Sequence, residues 1–251
     1  MSEQLTPLTL EEYDDPALYD VENRWAEDDE FYLTIAKAVG GPVLDVACGT
    51  GRLTRRIAEA GIEVVGADLS LSMLNHARQK TPDLGIEWIH ADCRTMQLNR
   101  QFKLLLMTGH AFQHMLTDAD ITAFLQQAHA HLVDGGTLAF ETRNFAGRTY
   151  ITSSERTFTH TTTLDDGTKI DNWMWSQFDE TTQADTVYFE EVDQATGAVK
   201  PSQTTLRYVS FAHLNQLITS SGFKLVNQYG FWDKSPFAPD SKEIITLCHK
   251  Q

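Results

Sequence analysis

Apolar positions recur along the chain in two periods, and the switch between them divides it. Leu18, Val21, Trp25, Phe31, Ile35 and Val39 fall at helical spacing among charged residues and predict a helix over 16–39, stopped by Gly40-Gly41-Pro42. An apolar run over 43–47 then reads as a strand, followed by a glycine turn, a helix over 52–60 closed by Gly61, and a second strand over 63–67. The alternation continues with a helix over 70–80, strands over 86–90 and 102–107, a helix over 117–132 and a strand over 136–142. Strands alternating with helices imply parallel strands joined by right-handed crossovers, and so a doubly wound α/β sheet. Between about 150 and 209 the pattern becomes Thr-rich, aromatic and two-residue alternating. Turn signals at Asp165-Asp166-Gly167, at 180–185 and at Ala195-Thr196-Gly197 predict an antiparallel meander of about four strands. A helix over 210–221, ended by Gly222, returns the chain to the α/β pattern, and strands over 223–230 and 243–249 finish it. The expected organisation is a sheet of about seven strands from 1–150 and 205–251, with an antiparallel β insertion at 151–204 serving as a lid over a substrate.

Charge narrows the partners. With 35 acidic against 20 basic residues the formal charge is −15, which repels phosphate backbones and forfeits counterion release. Nucleic acid and anionic membranes are therefore not expected, and a small-molecule partner is. No apolar run approaches membrane-spanning length, and the acidic N-terminus lacks a signal-peptide layout. Three cysteines without CxxC spacing fit neither a disulfide framework nor a zinc site, so a cytoplasmic monomer or homodimer without metal is expected.

The chemistry concentrates at Val43-Leu44-Asp45-Val46-Ala47-Cys48-Gly49-Thr50-Gly51, where a strand enters a turn with glycines two apart and a helix starts at once. Such glycines permit main-chain angles and close approaches that a Cβ blocks, at the place where doubly wound sheets bind ligands. A dinucleotide fingerprint needs a third glycine three residues later; Thr54 stands there, and Asp45 precedes the turn. No Lys-Ser/Thr pair completes a phosphate loop either. The implied ligand has an adenosine-like body and no phosphate chain. Asp68 and Asp92 end the second and third strands, where they could accept from ribose hydroxyls and an adenine amine, or simply form turns and caps.

These motifs, with Gly66-Ala67-Asp68-Leu69-Ser70, Met73, Ala91-Asp92-Cys93 and Leu132-Val133-Asp134-Gly135-Gly136, resemble class I S-adenosylmethionine (SAM)-dependent methyltransferases of the small-molecule branch. The resemblance is strong over 40–145 and looser over 205–250. It implies a Rossmann-like fold and SAM as cofactor. Asp45 and the Gly49/Gly51 backbone would hold the amino-acid end, Asp68 the ribose, and Asp92 with Cys93 the adenine, while Leu69 packs on its ring; Ala47 and Met73 are further expected cofactor contacts. Met107 and Thr108 would lie near the methionine moiety, and Tyr19 and Arg24 would close over the cofactor, unless Arg24 pairs with neighbouring acids.

The implied reaction is methyl transfer to an N, O or C nucleophile. His110 and His114, just beyond the fourth strand, are the candidate general bases, although His114 could instead pack and His110 cap a turn. Arg143 and Asn144 could face the substrate, with Phe145 where relatives carry proline; Glu141 could join them or pair with Arg143. Trp173, Trp175 and Tyr188 are placed as an aromatic wall against the substrate, or else as a small core under the insertion. His160 and Arg207 are further possible contacts. An NAD-dependent oxidoreductase is disfavoured by Thr54 and Asp45; a non-enzymatic SAM-binding module would keep the same motifs.

Overall fold

A computed structural model describes residues 5–6, 13–146, 153–164 and 166–251. The helices are α1 (Pro16–Glu22), α2 (Glu27–Val39), α3 (Arg52–Glu59), α4 (Leu71–Lys80), α5 (Asp118–His131) and α6 (Phe211–Ser220). The strands β1 (Val43–Val46), β2 (Val64–Asp68), β3 (Glu87–His90), β4 (Phe102–Met107), β5 (Leu132–Arg143), β10 (Phe223–Tyr229) and β11 (Glu243–Lys250) form one sheet, in the order β10-β11-β5-β4-β1-β2-β3. From β3 to β5 the pairing is parallel; β11 runs antiparallel between β5 and β10. The order reverses at β1 and β4, which creates a crevice beyond their carboxyl ends.

The sheet is covered on both faces, so its central strands read as unbroken apolar runs. Along β4, Leu105 and Met107 pack with Phe112, Phe124 and Phe140, while Leu104 and Leu106 turn to the layer of Tyr32, Ile57 and Ala36. A second, four-stranded antiparallel sheet follows: β6 (Thr157–Thr163), β7 (Lys169–Asp179), β8 (Ala184–Asp193) and β9 (Val199–Arg207). Among the turn signals there, Asp165 lies outside the described residues.

Two expectations are revised. The single helix over 16–39 breaks at 23–26. Asn23 terminates α1, and the Asp29 carboxylate accepts the Ala26 N–H to start α2 afresh; apolar periodicity cannot register such a local cap. Strand β5 starts at Leu132, directly where α5 ends, and a register shift in its pairing with β4 absorbs Gly135 and Gly136. As the sequence predicts, β11 follows β10 with no helix between them. The chain reverses through a loop, so the α/β alternation ends at α6 and the last two strands pair antiparallel.

Candidate active site

At the carboxyl end of β1 the backbone turns left-handed at alternate residues: Ala47 (φ 56°), Gly49 (φ 56°) and Gly51 (φ 75°). Gly51 has a second reason to be glycine, because a Cβ there would meet the Trp88 ring at 2.2 Å. Asp68, ending β2, braces the turn: its two oxygens accept the Gly49 and Ser70 N–H groups, each at 2.7 Å. Burial raises the Asp68 pKa despite these amides. Thr54 fills the place of a third glycine because its hydroxyl donates to Asp45 at 2.5 Å. Asp45 is 1% exposed and lies beneath the turn rather than on its surface. Burial pushes its carboxyl up to about 7. Its other oxygen, Oδ1, has no hydrogen-bond partner among the described residues.

Asp92, following β3, is gripped by Arg94, whose Nη2 donates at 2.7 Å. Burial raises the Asp92 pKa, but the Arg94 hydrogen bonds outweigh it and hold the group below the usual carboxylate range. Arg94 also donates to buried Asp120 at 2.7 Å and to the Thr6 carbonyl at 2.6 Å, tying the N-terminal segment to the third strand tip.

These tips enclose a cleft. Of the residues expected around a cofactor, Ala47, Gly49, Asp68, Leu69 and Met73 line it from β1, β2 and α4. Asp92, Cys93, Met107 and Thr108 line it from β3 and β4, and Tyr19 from α1. Three expected residues are placed elsewhere. Asp45 and Gly51 support the turn from behind, each buried by its packing partner. Arg24 sits past the end of α1 in a neighbouring cavity, its Nε donating to the Val21 carbonyl.

That cavity, about 560 Å³, lies between α1, the 3-10 turn Ala111–His114, the end of β5 and the inner face of the four-stranded sheet. Tyr13, Tyr19, Gly109 and His114 line both the cleft and this chamber, so the two meet there. His114 Nε2 lies 2.8 Å from the Tyr13 hydroxyl. Burial, helped by Arg143, pushes the imidazole down to about 4 and keeps it neutral at physiological pH.

His110 and Arg143 line the chamber alone. His110 holds a left-handed conformation (φ 59°), and its N–H donates to Glu141 at 2.7 Å. Its ring Nε2 lies 3.0 Å from Glu243 on β11. Glu141 is fully buried, accepts the Tyr32 hydroxyl, and has its pKa raised by that burial. Sequence reasoning missed Glu243 because it stands 133 residues from His110, and only the antiparallel return of β11 beside β5 brings them together.

The aromatic wall is corrected. Along β7 and β8, Met174, Asp185, Val187 and Phe189 face the chamber, with Thr204 and Leu206 of β9. Trp173, Trp175 and Tyr188 alternate to the opposite face of the same strands, because strand side chains have period two. There Trp175 stacks on Tyr188 (ring centroids 5.4 Å apart) and Arg156 covers Trp173. They therefore face away from the chamber and lie half-buried among ring contacts on the other face. Asn144 is also structural, being buried with its amide donating to the Pro239 and Ser241 carbonyls. Arg207 pairs with Asp118 at 2.8 Å, and His160 lies 3.5 Å from Glu22. Among the described residues no group of three His, Cys, Asp or Glu could hold a metal, and no helix is long and apolar enough to cross a membrane.

Comparison with known proteins agrees with the geometry. Residues 43–136 match a family model described as a methyltransferase domain. A dTDP-3-amino-3,6-dideoxy-alpha-D-glucopyranose N,N-dimethyltransferase of Streptomyces fradiae is 34% identical over 99 residues, 39% of this chain and 38% of that protein. A glycine/sarcosine N-methyltransferase of Aphanothece halophytica is 30% identical over 127 residues, 49% of this chain and 48% of that protein. The chain thus spans less than half the length of these curated relatives. Among solved structures, the CcbJ methyltransferase from Streptomyces caelestis superposes with a TM-score of 0.80 at 22% identity, covering 95% of this chain and 97% of that one. SAM-bound CalS10, an amino pentose methyltransferase from Micromonospora echinaspora, gives a TM-score of 0.72 at 19% identity, covering 99% and 100%. The two superpositions establish the shared fold.

Proposed function

We propose that this chain, which carries a class I SAM-dependent methyltransferase domain, transfers the methyl group of SAM to a nitrogen of a small-molecule acceptor. The observation that carries the reading is the junction of cleft and chamber at Tyr13, Tyr19, Gly109 and His114. A donor on one side and an acceptor on the other can meet only across that boundary. Nitrogen is favoured over oxygen or carbon by two relatives that match 39% and 49% of this chain, an amino-sugar N,N-dimethyltransferase and a glycine/sarcosine N-methyltransferase. The formal charge of −15 supports a small acceptor over nucleic acid.

The residues at the strand tips fit SAM. The left-handed turn at Gly49 offers bare backbone to a ligand, since nothing stands within 4 Å of where its Cβ would be. Asp68 uses one lone pair of each oxygen on Gly49 and Ser70, which leaves acceptor capacity for a ribose diol. Asp92, kept ionised by Arg94, suits an exocyclic amine. Asp45, buried behind the turn, holds its conformation through Thr54 rather than meeting the ligand. When bound, SAM supplies an electrophilic methyl carbon on a sulfonium.

The chain then has to present an uncharged amine in line and dispose of one proton. Alignment of the reactants is worth on the order of 7–11 kcal/mol. Neutral His114, with Tyr13, offers the amine a hydrogen-bond acceptor without the repulsion that an imidazolium would exert. His110, oriented by Glu243, accepts the proton displaced as the new C–N bond forms. Arg143 at the chamber wall suits an acceptor bearing a carboxylate or another anionic group.

The test is calorimetry with S-adenosylhomocysteine (SAH), followed by SAH release measured across amines, phenols and carboxylates. Binding of SAH with turnover on amines is expected. Turnover confined to phenols would overturn the choice of nitrogen, and binding of a pyridine nucleotide in place of SAH would overturn the whole reading.

A further inference from the structure

We propose that Asp20 is a positioning residue for the cofactor, coupling helix α1 to the glycine turn through the hydroxyl of Thr50. The proposal rests on the reading above that the cleft holds SAM.

Three donors from two elements converge on this one carboxylate. The Thr50 hydroxyl donates to Oδ1 at 2.6 Å, while His76 Nε2 lies 2.7 Å from Oδ2 and Lys80 also bonds Oδ2. His76 and Lys80 belong to α4; Thr50 stands between Gly49 and Gly51 and is 4% exposed. Burial raises the Asp20 pKa, but Lys80, Thr50 and His76 outweigh it and hold the carboxyl low.

The geometry matters because of what α1 carries. With seven residues it is too short to persist alone, so outside contacts must place it. Its neighbour in sequence, Tyr19, lines both cleft and chamber. The wall is fastened at Tyr13 as well, where the carbonyl accepts from Ser72 and the hydroxyl meets His114. Of these fastenings, the Asp20–Thr50 bond is the one that reaches the turn itself. Releasing it frees the turn's central side chain and the helix bearing Tyr19 together, and both elements line the same cleft.

A simpler role would be a charge pin between α1 and α4, made by Lys80 and His76 alone. Thr50 separates the two: a pin is indifferent to its hydroxyl, whereas a coupling to the turn is not.

The experiment is SAH calorimetry on wild type, Asp20→Asn, Thr50→Val and the double variant, with steady-state kinetics against SAM. Expected are a loss of SAH affinity of roughly 10-fold for Asp20→Asn and about 5-fold for Thr50→Val, as for one charge-assisted hydrogen bond. The double variant should be no more than about 2-fold weaker than Asp20→Asn, and KM for SAM should rise more than kcat falls. Thr50→Ser, which keeps the hydroxyl, should bind within about 2-fold of wild type. It also guards the test should Asp20→Asn fold poorly, since Thr50→Val against Thr50→Ser reads the same bond. Independent, multiplying effects, or weakening by Lys80→Ala and His76→Ala with Thr50→Val unaffected, would leave only the pin and overturn the proposal. Absence of SAH binding by the wild-type protein would instead overturn the functional reading on which it rests.

Discussion

On one side of the wall made by Tyr13, Tyr19, Gly109 and His114, the groups come from consecutive strand tips; on the other they come from segments scattered along the chain. The cleft takes Gly49 from β1, Asp68 from β2 and Asp92 from β3: Asp68 ends its strand, and the other two stand two or three residues past theirs. The chamber takes Glu22 from α1, His110 from the turn after β4, Arg143 from β5, and Met174, Asp185 and Thr204 from the second sheet. A site built from strand tips inherits its geometry from the sheet and changes little when loops change. A site built from an appended sheet can be re-lined strand by strand without disturbing the first, which is where acceptor choice can vary.

The sharpest way to break this contrast is at Asp68. Asp68→Ala removes the acceptor of two backbone amides and, on the proposed function, of the ribose; SAH affinity should fall by more than ~100-fold in calorimetry. Acceptor-side changes should leave SAH binding alone. His110→Ala is expected to lower kcat by ~10²-fold with SAH affinity within about 3-fold of wild type, measured by SAH release at saturating donor. A comparable loss of SAH affinity would mean that the two sides are not separable.

Gly51→Ala tests the sheet side through stability. The new methyl would strike Trp88 and force a residue with φ 75° to carry a Cβ, at a cost of roughly 2–4 kcal/mol in urea unfolding. Next in size is a pH effect at His114. Its folded pKa of about 4 lies below the unfolded value of 6.5, so the unfolded chain binds the proton first. The stability contributed by the neutral imidazole is therefore complete above pH 6.5 and is lost as pH falls towards 4, with a slope of at most roughly 1.4 kcal/mol per pH unit. Urea midpoints of wild type relative to His114→Asn should fall through that window. The smallest effect is expected at Trp175→Ala: lying on the outer face against Tyr188, it should change the acceptor KM by less than about 2-fold.

The strand–turn–helix rhythm, the glycine turn and the acids at the ends of β2 and β3 were legible in the chain because each is a local relation. Period-two and period-3.6 patterns, strand ends and left-handed glycines all act within about ten residues. Even the departure at Thr54 follows locally, as the Asp45 carboxylate nine positions earlier takes its hydroxyl. Alternation also put Trp173 and Trp175 on one face of β7, but alternation has no sign. Which face meets the chamber depends on how the second sheet sits against α1 and β5. The pairing of His110 with Glu243, the reach of Arg94 to Asp120, and the bond from Asp20 to Thr50 were decided by tertiary structure alone. Each joins groups whose separation along the chain carries no periodic signal, and a hydrogen bond between them forms only once the sheet order and the helix break at 23–26 have set their distance.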